Sequence, residues 1–195
     1  AILFADILLI PNALGQHLEF KEGIGPILEP LKNNEDIENL KNSEDIHSTL
    51  EPVYEAVTNI KSKLETNITF IGFAGSPWTV ATYMIEGKGS KDHIKTKTFM
   101  LNYPQVFKKL ILKIQDATIE YLSKQIQGGV DVIKLFDSWA NSLPATYIEK
   151  YSLEPMKVIA KEIKNRFPKI PVIVFPRGVG PMYKKFAIVN EFDCV

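Results

Sequence analysis

Cysteine and histidine are scarce in this sequence, which limits the kinds of site that it can build. A single cysteine, Cys194, excludes an internal disulfide framework, and no Cys/His spacing resembles a zinc site. His17, His47 and His93 stand apart without an obvious serine or cysteine partner, so a nucleophilic triad gains little support. We therefore expect no metal site and a reducing, cytoplasmic compartment. Cys194 is interpreted as a packing residue.

Net charge is also absent, because the 23 basic residues equal the 23 acidic residues in number. A neutral chain has no global field that attracts nucleic acid or an anionic membrane surface, so neither is expected as a partner. Arginine is especially rare, since only Arg166 and Arg177 occur. Because arginine is the preferred bidentate partner of carboxylates, any anionic ligand must be recognised by a few local groups.

The apolar run at the N-terminus is too short to cross a membrane. Residues 1–10 are interrupted by Asp6, lack a basic leader and fall below the roughly 18 residues of a spanning helix. They are predicted to be neither a signal peptide nor a membrane anchor. The chain starts with Ala1 inside an apolar run and stops at Val195 without a terminating signal. We therefore expect a segment of a longer protein.

Short apolar runs alternate with helical periods along the chain. Four runs end in small or polar residues, and each is predicted to form a buried parallel strand. They are residues 2–5, 68–73, 130–136 and 170–175. Apolar residues recur at helical spacing in 46–64 and 107–122, which predicts surface helices over a sheet. This order predicts an α/β fold with a parallel sheet, either open or closed into a barrel, and periodicity does not separate the two.

Proline marks the starts of three predicted helices, because its missing N–H costs nothing in the first turn. The three signals are Ser76-Pro77, Tyr103-Pro104 and Gly180-Pro181. The polar stretch 32–47 is predicted to be a surface loop with a short helix, not a domain boundary. The 195 residues are thus expected to form a single domain.

Polar or small residues follow each predicted strand, at the end where parallel barrels carry their active sites. Asp6 is either a site residue or a buried carboxylate satisfied by backbone N–H groups of the next turn. Gly75 lets backbone approach a ligand and Ser76 can cap the next helix, although a simple tight turn explains both. Asp137 is either a site residue or a helix cap. Arg177 either binds an anion or lies in an exposed turn.

Several segments, taken in order, resemble the uroporphyrinogen decarboxylase family. The most specific pair is FAGSPWT at 73–79 and TYMIEG at 82–87. Further matching segments are ILFADIL at 2–8, PNALG at 11–15, LFDSWA at 135–140 and FPRG at 175–178. The resemblance covers essentially the whole chain in the right order and spacing.

This resemblance implies a partial (β/α)8 TIM-type barrel of parallel strands with surface helices. Residues 1–195 would be its central part and would lack N- and C-terminal segments. The implied activity is a carboxy-lyase that converts the four acetate side chains of uroporphyrinogen III to methyl groups, giving coproporphyrinogen III in porphyrin and heme biosynthesis. No metal or organic cofactor is implied. The implied partners are the small tetrapyrrole substrate and, when the protein is complete, a second copy in a homodimer.

The resemblance also assigns roles to individual residues. Asp6 would accept hydrogen bonds from the pyrrole N–H groups at the macrocycle centre, since these groups only donate. Protonation of the pyrrole ring supplies the electron sink for loss of CO2, and an ionised Asp6 would stabilise the resulting positive charge. The implied substrate contacts are the hydroxyls of Tyr83 and Ser138, a backbone N–H near Gly75, and the apolar walls Ile2, Phe73 and Phe136.

Two departures and two alternatives accompany this interpretation. Lys88 interrupts what is often a run of glycines, and Asn141 stands where many relatives carry glycine, so the loops there are expected to differ in shape. The family's Arg-containing segment would precede Ala1 and its substrate-contacting histidine would follow Val195. One alternative is a zinc-dependent methyltransferase of the same superfamily, which needs thiolate or imidazole ligands in close array. The other is a remnant without turnover.

Overall fold

The chain forms a parallel sheet whose strands are connected by helices. The computed structural model describes residues 1–23 and 25–195. In chain order the elements are α1 (Leu9–Ala13), β1 (Leu18–Lys21), β2 (Gly25–Leu28), α2 (Asn34–Glu38), α3 (His47–Lys61), β3 (Ile71–Gly75), α4 (Pro77–Glu86), α5 (Ile94–Asn102), α6 (Pro104–Gln127), β4 (Val132–Asp137), α7 (Ala145–Ile148), α8 (Glu154–Arg166), β5 (Val172–Pro176) and α9 (Tyr183–Ala187). Short 3₁₀ turns lie at Ser43–Asp45, Ala140–Ser142 and Gly180–Met182, and a π-helical turn at Glu149–Leu153 joins α7 to α8.

The parallel sheet has the strand order β3-β4-β5, as expected for strands connected by helical crossovers. Its register pairs Gly75 with Phe136 and Asp137 with Pro176, so the strands end at the same edge. Single parallel bridges extend the sheet at both sides, from Ile2 to Ile71 and from Ile173 to Cys194. The predicted α/β class and parallel sheet are confirmed.

The prediction of a strand at 2–5 is wrong beyond its first residue. The Ala1 carbonyl accepts the Ile71 N–H at 2.8 Å, and Ile2 makes its one bridge there. At Phe73 the edge of β3 is occupied instead by the side chain of Gln125, whose amide accepts the Phe73 N–H and donates to the Phe73 carbonyl, both at 3.1 Å. A side chain has therefore taken the place of a strand.

The other three predicted strands exist but begin and end later than predicted. The predicted runs 68–73, 130–136 and 170–175 correspond to β3, β4 and β5. Phe70 and Val130 are buried although both precede their strands. Hydrophobicity thus marks burial better than it marks the first hydrogen-bonded residue.

The predicted surface helices are confirmed as α3 and α6. Leu50, Tyr54 and Val57 form the buried face of α3, and Pro104 stands in the first turn of α6 as predicted. Pro77 likewise starts α4, whereas Pro181 opens a 3₁₀ turn that leads into the short α9. The polar stretch 32–47 contains α2 and one 3₁₀ turn, as expected.

The antiparallel hairpin of β1 and β2 was not predicted. Its register pairs Leu18 with Leu28 and Lys21 with Gly25. Leu28 is buried, whereas Phe20 is 71% exposed near the tip. No helix within the described ranges is long and apolar enough to cross a membrane.

The two faces of the parallel sheet differ in their surroundings. Along β4, burial alternates between Ile133 and Leu135, which are buried against helices, and Lys134 and Phe136, which are only partly buried. The side chains of the second set, together with their neighbours on β3 and β5, form a surface that we call the open face. It consists of Ile71, Phe73, Gly75, Val132, Lys134, Phe136, Ile173 and Phe175.

Candidate active site at the carboxyl ends of the strands

Asp6 lies where the sequence predicts a site carboxylate, close to the end of β3. Its side chain is partly buried and lines a narrow crevice together with Phe73 and Gly75. One carboxylate oxygen, Oδ1, accepts the Leu8 N–H at 2.9 Å. Within the described residues the other oxygen, Oδ2, has no hydrogen-bond partner. One oxygen of Asp6 thus binds a backbone N–H of the next turn, which was the alternative to a site role. The other oxygen is still available as an acceptor.

Aromatic side chains stand beside this carboxylate on the open face. The rings of Phe73 and Phe136 meet edge to face with their centroids 5.6 Å apart. Phe4 stacks on Phe73 at 5.6 Å, and Phe175 meets Phe136 at 5.8 Å. Two of the residues predicted as apolar walls are therefore in contact, and Phe4 and Phe175 extend the wall on either side. The third, Ile2, bridges to β3 two residues before Phe73 and is 43% exposed.

Packing explains the glycine at position 75. A Cβ at this position would lie 2.8 Å from Val80 Cγ2 and 3.2 Å from Ile7 Cβ, both closer than normal contact. The N–H groups of Ile71 and Phe73 both point to the outer edge of β3, and the two-residue repeat of a strand directs the Gly75 N–H to that same edge. This edge faces the segment that carries Asp6.

The prediction that Ser76 caps α4 is wrong. Ser76 occupies the residue before the helix, but its hydroxyl makes no capping hydrogen bond. Its backbone N–H donates to the Phe136 carbonyl at 2.8 Å and so continues the sheet. This amide is not available to a ligand, which leaves the Gly75 N–H as the nearby donor.

Tyr83 and Ser138 lie on different elements of the fold. Tyr83 is partly buried on α4, and Ser138 is partly buried directly after β4. Neither side chain lines the crevice beside Asp6. In residues 1–23 and 25–195, neither hydroxyl has a hydrogen-bond partner. Both groups are thus free to bind a ligand.

Asp137 is not a helix cap, which corrects one of the two interpretations of its position. It is fully buried behind the sheet, where it accepts hydrogen bonds from Thr79 Oγ1 at 2.6 Å and from Ser152 Oγ. Burial raises the pKa of Asp137 to about 6, and the two hydroxyl hydrogen bonds oppose part of that rise. Thr79 Oγ1 also accepts the Trp139 N–H at 3.1 Å. This network fixes the turn that presents Ser138.

The remaining polar candidates take structural or exposed positions. Arg177 is exposed in the turn after β5, which matches the turn alternative, and Arg166 pairs with Glu162 and Glu120 on the helical side.

His93 is buried against Trp139 with ring centroids 5.0 Å apart, and desolvation lowers the pKa of its imidazole. The interpretation of Cys194 as a packing residue is wrong, because its side chain is exposed. Among the described residues, no three His, Cys, Asp or Glu side chains are grouped to hold a metal ion.

Comparison with known protein families identifies one family over the full chain. The model of the family "Uroporphyrinogen decarboxylase (URO-D)" matches residues 1–195. A uroporphyrinogen decarboxylase from Rhodobacter capsulatus is 50% identical over 195 residues, which are 100% of this chain and 57% of that relative. Another, from Rickettsia bellii, is 48% identical over 186 residues, 95% of this chain and 54% of the relative. The chain thus spans about half the length of the curated relatives it matches.

A solved structure shows the same fold at low sequence similarity. The chain superimposes on a methyltransferase from Methanosarcina mazei with a TM-score of 0.79 and 16% identity. The match covers 98% of this chain and 55% of that structure. At this identity the match supports the fold alone.

Proposed function

Because the chain belongs to the uroporphyrinogen decarboxylase family, we propose that the complete protein decarboxylates uroporphyrinogen III. It removes the four acetate carboxyl groups as CO2 and leaves methyl groups, which gives coproporphyrinogen III. The enzyme is a carboxy-lyase of porphyrin and heme biosynthesis, and the described segment contributes only part of it. We further propose a cytoplasmic location and a homodimer.

The observation that carries this proposal is the position of Asp6. A partly buried carboxylate with an unused oxygen lies beside an aromatic wall at the carboxyl ends of parallel strands. A macrocycle with inward-pointing pyrrole N–H donors needs an acceptor of this kind at its centre. Removal of CO2 requires a protonated, cationic pyrrole ring as electron sink. The charge of Asp6 stabilises that cation, and poor solvation next to Phe73 strengthens the effect.

The other residues hold the substrate around Asp6. Phe73 and Phe136, with Ile2 at the edge, form the apolar walls that contact the macrocycle. The Gly75 N–H and the hydroxyls of Tyr83 and Ser138 bind side-chain carboxylates at its rim. Each of these donors is available in the geometry described above.

The proposed whole-molecule fold is a (β/α)8 barrel, of which this chain supplies the central part. Five consecutive parallel positions support it: the bridge at Ile2, the strands β3, β4 and β5, and the bridge at Cys194. Curvature of such a sheet would enclose the open face, where the aromatic wall lies. In a barrel, the carboxyl ends of the strands form the active-site face, which agrees with the position of Asp6.

The decisive experiment measures the product formed by the full-length protein. Uroporphyrinogen III incubated anaerobically with the protein and a metal chelator should yield coproporphyrinogen III, detected as the oxidised porphyrin by chromatography. The proposal includes no metal or organic cofactor. Absence of product would reject the proposal. A methyltransferase would instead require bound zinc and would leave the substrate unchanged, so stoichiometric zinc in protein not treated with chelator would then favour that alternative.

The variant Asp6→Asn tests the role of the central carboxylate. Asparagine keeps an oxygen for the Leu8 N–H but removes the negative charge, so the fold should persist while kcat falls by about 100-fold or more. Asp45→Asn, at an exposed position far along the chain, is the matched control and should keep full activity. Wild-type activity in Asp6→Asn, with unchanged thermal stability, would refute the assigned role.

A further inference from the structure

A lysine stands among the aromatic side chains of the open face. Lys134 lies in the middle of β4, and its register neighbours are Phe73 on β3 and Ile173 on β5. Since side chains alternate along a strand, Lys134 projects from the same face as Phe136, two residues nearer to the carboxyl end. A long cationic side chain is thus built into the wall of the proposed cleft.

Aromatic rings hold the ammonium toward the active-site end of the sheet. Lys134 Nζ lies 4.7 Å from the centroid of the Phe136 ring and 5.3 Å from that of Phe175. These two residues are opposite each other in the register, one strand repeat beyond Lys134. The side chain therefore runs from the middle of the sheet toward the edge where Gly75 and Asp6 lie. The two ring faces favour this position electrostatically.

The charge of Lys134 has no acidic partner in the part of the chain that the structure describes. Lys61, Lys164 and Arg166 are each paired with a carboxylate on the helical side or at the surface. Lys134 Nζ makes neither an ion pair nor a hydrogen bond with the described residues. An aromatic face attracts a cation but leaves its N–H donors unsatisfied, because it offers no oxygen lone pair. The partly buried ammonium is therefore suited to an anionic ligand.

We propose that Lys134 binds a carboxylate of the tetrapyrrole substrate and is a substrate-binding residue of the enzyme. The inference rests on the proposed function, because that substrate carries eight carboxylates, four acetates and four propionates. Of the two arginines of this chain, Arg166 is already paired with Glu162 and Glu120, and Arg177 lies in the exposed turn after β5. Asp6 would bind the centre of the macrocycle, and Lys134 would bind a carboxylate at its periphery.

Kinetics of Lys134 variants in the full-length protein test this role. A contact made equally in the ground state and the transition state changes KM and leaves kcat nearly constant. Lys134→Met keeps most of the apolar stem and removes the charge, so KM should rise about tenfold, equivalent to about 1.4 kcal/mol of binding free energy. Lys134→Arg should restore most of the affinity, because it restores the charge.

Lys150→Met is the matched control. Lys150 Nζ also lies over an aromatic ring, 4.9 Å from the centroid of Tyr151, but it is exposed and belongs to the π-helical turn. Both variants remove a cation that lies over an aromatic ring, whereas only Lys134→Met removes the proposed contact with the substrate. KM should therefore be unchanged in Lys150→Met. An equal rise of KM in both variants, or wild-type KM in Lys134→Met, would overturn the proposal.

A second substrate distinguishes the two kinds of carboxylate. The pentacarboxylic intermediate retains four propionates but only one acetate. If Lys134 binds a propionate, Lys134→Met raises KM equally for uroporphyrinogen III and for this intermediate. If Lys134 binds an acetate other than the one that reacts, Lys134→Met raises KM for uroporphyrinogen III but not for the intermediate, because the intermediate has no such acetate. Absence of turnover by the wild-type protein would reject the proposed function itself, whereas an active wild type with wild-type KM in Lys134→Met rejects only the role of Lys134.

Discussion

Two aspartates near the carboxyl ends of the strands meet opposite environments. Asp6 lies in a crevice with one oxygen unused, whereas Asp137 is fully buried and bound by two hydroxyls. Sequence placed both next to strand ends but could not separate their roles. The alternation of side chains along β4 separates the two roles. Because Phe136 lies on the open face, the next residue, Asp137, must point toward the helices.

Asp137 should give the folded state a measurable dependence on pH. Burial raises the pKa of Asp137 to about 6 from an ordinary value of 3.8, so the folded state binds a proton more tightly than the unfolded state. The resulting stabilisation is fully present below the unfolded pKa and is lost as the pH rises through 6. Relative to Asp137→Asn, the wild-type free energy of unfolding should therefore gain about 1 kcal/mol between pH 7.5 and pH 5. Urea denaturation at both values measures it, and a difference independent of pH would contradict the burial argument.

The site residues differ in how far sequence could predict them. The resemblance implied Phe73 and Phe136 as apolar walls, and their rings are in contact on one face of the sheet. Ser76 was expected to cap α4 because its residue type and position fit a cap, yet its backbone continues the sheet and its hydroxyl makes no capping hydrogen bond. Lys134 was not singled out, because a lysine inside an apolar run carries no motif.

At the scale of elements, the edge of β3 shows how a side chain replaces a strand. The amide of Gln125, a buried residue of α6, occupies both hydrogen-bonding groups of Phe73. A Cβ at Gly72 would lie 2.7 Å from Gln125 Oε1, so the adjacent glycine makes room for this contact. The run 2–5 looked like a strand because it is apolar, but pairing depends on a free edge. Sequence patterns do not report whether a distant side chain has taken that edge.

Replacement of Gln125 by alanine should destabilise the protein. The Phe73 N–H and carbonyl would lose their partners in a buried setting, and each unsatisfied group costs about 1–3 kcal/mol. We expect the free energy of unfolding to fall by about 2 kcal/mol or more. Gln127→Ala, at an exposed position in the last turn of the same helix, should change it by less than about 0.5 kcal/mol. Because alanine is a better helix former than glutamine, helix propensity cannot explain a loss in either variant. Equal losses in both variants would show that the effect does not come from the edge contact.

The hairpin illustrates a second limit at this scale. Leu18–Lys21 alternates apolar and charged residues, which is the pattern of a half-buried strand. Four residues are too few for that pattern to be distinctive, and the exposed Phe20 further weakens it. The longer periods of α3 and α6 span several turns, so they were predicted correctly. Prediction succeeded where a pattern repeated often enough.

At the scale of the whole molecule, the chain has a sheet with one face covered by helices and one face open. The alternation of strands and helices predicted a parallel sheet, and the order β3-β4-β5 confirms it. Closure is a different property, because it depends on strand number and stagger and not on local pattern. The chain spans about half the length of its curated relatives. The enclosure of the open face by a closed barrel is therefore part of the proposed whole-molecule fold.

The open face should make the 195-residue chain associate with itself when it is studied alone. Phe4, which stacks on the open face, is 83% exposed and Phe175 is 38% exposed, and contiguous exposed apolar surface favours self-association and dye binding. The double variant Phe4→Ser with Phe175→Ser should lose most of its binding of the dye ANS and most of its association in sedimentation experiments. Phe20→Ser removes a phenylalanine that is 71% exposed on the hairpin and is the matched control, which should retain both properties. If the control loses as much as the double variant, association occurs through the hairpin and the open face is not the cause.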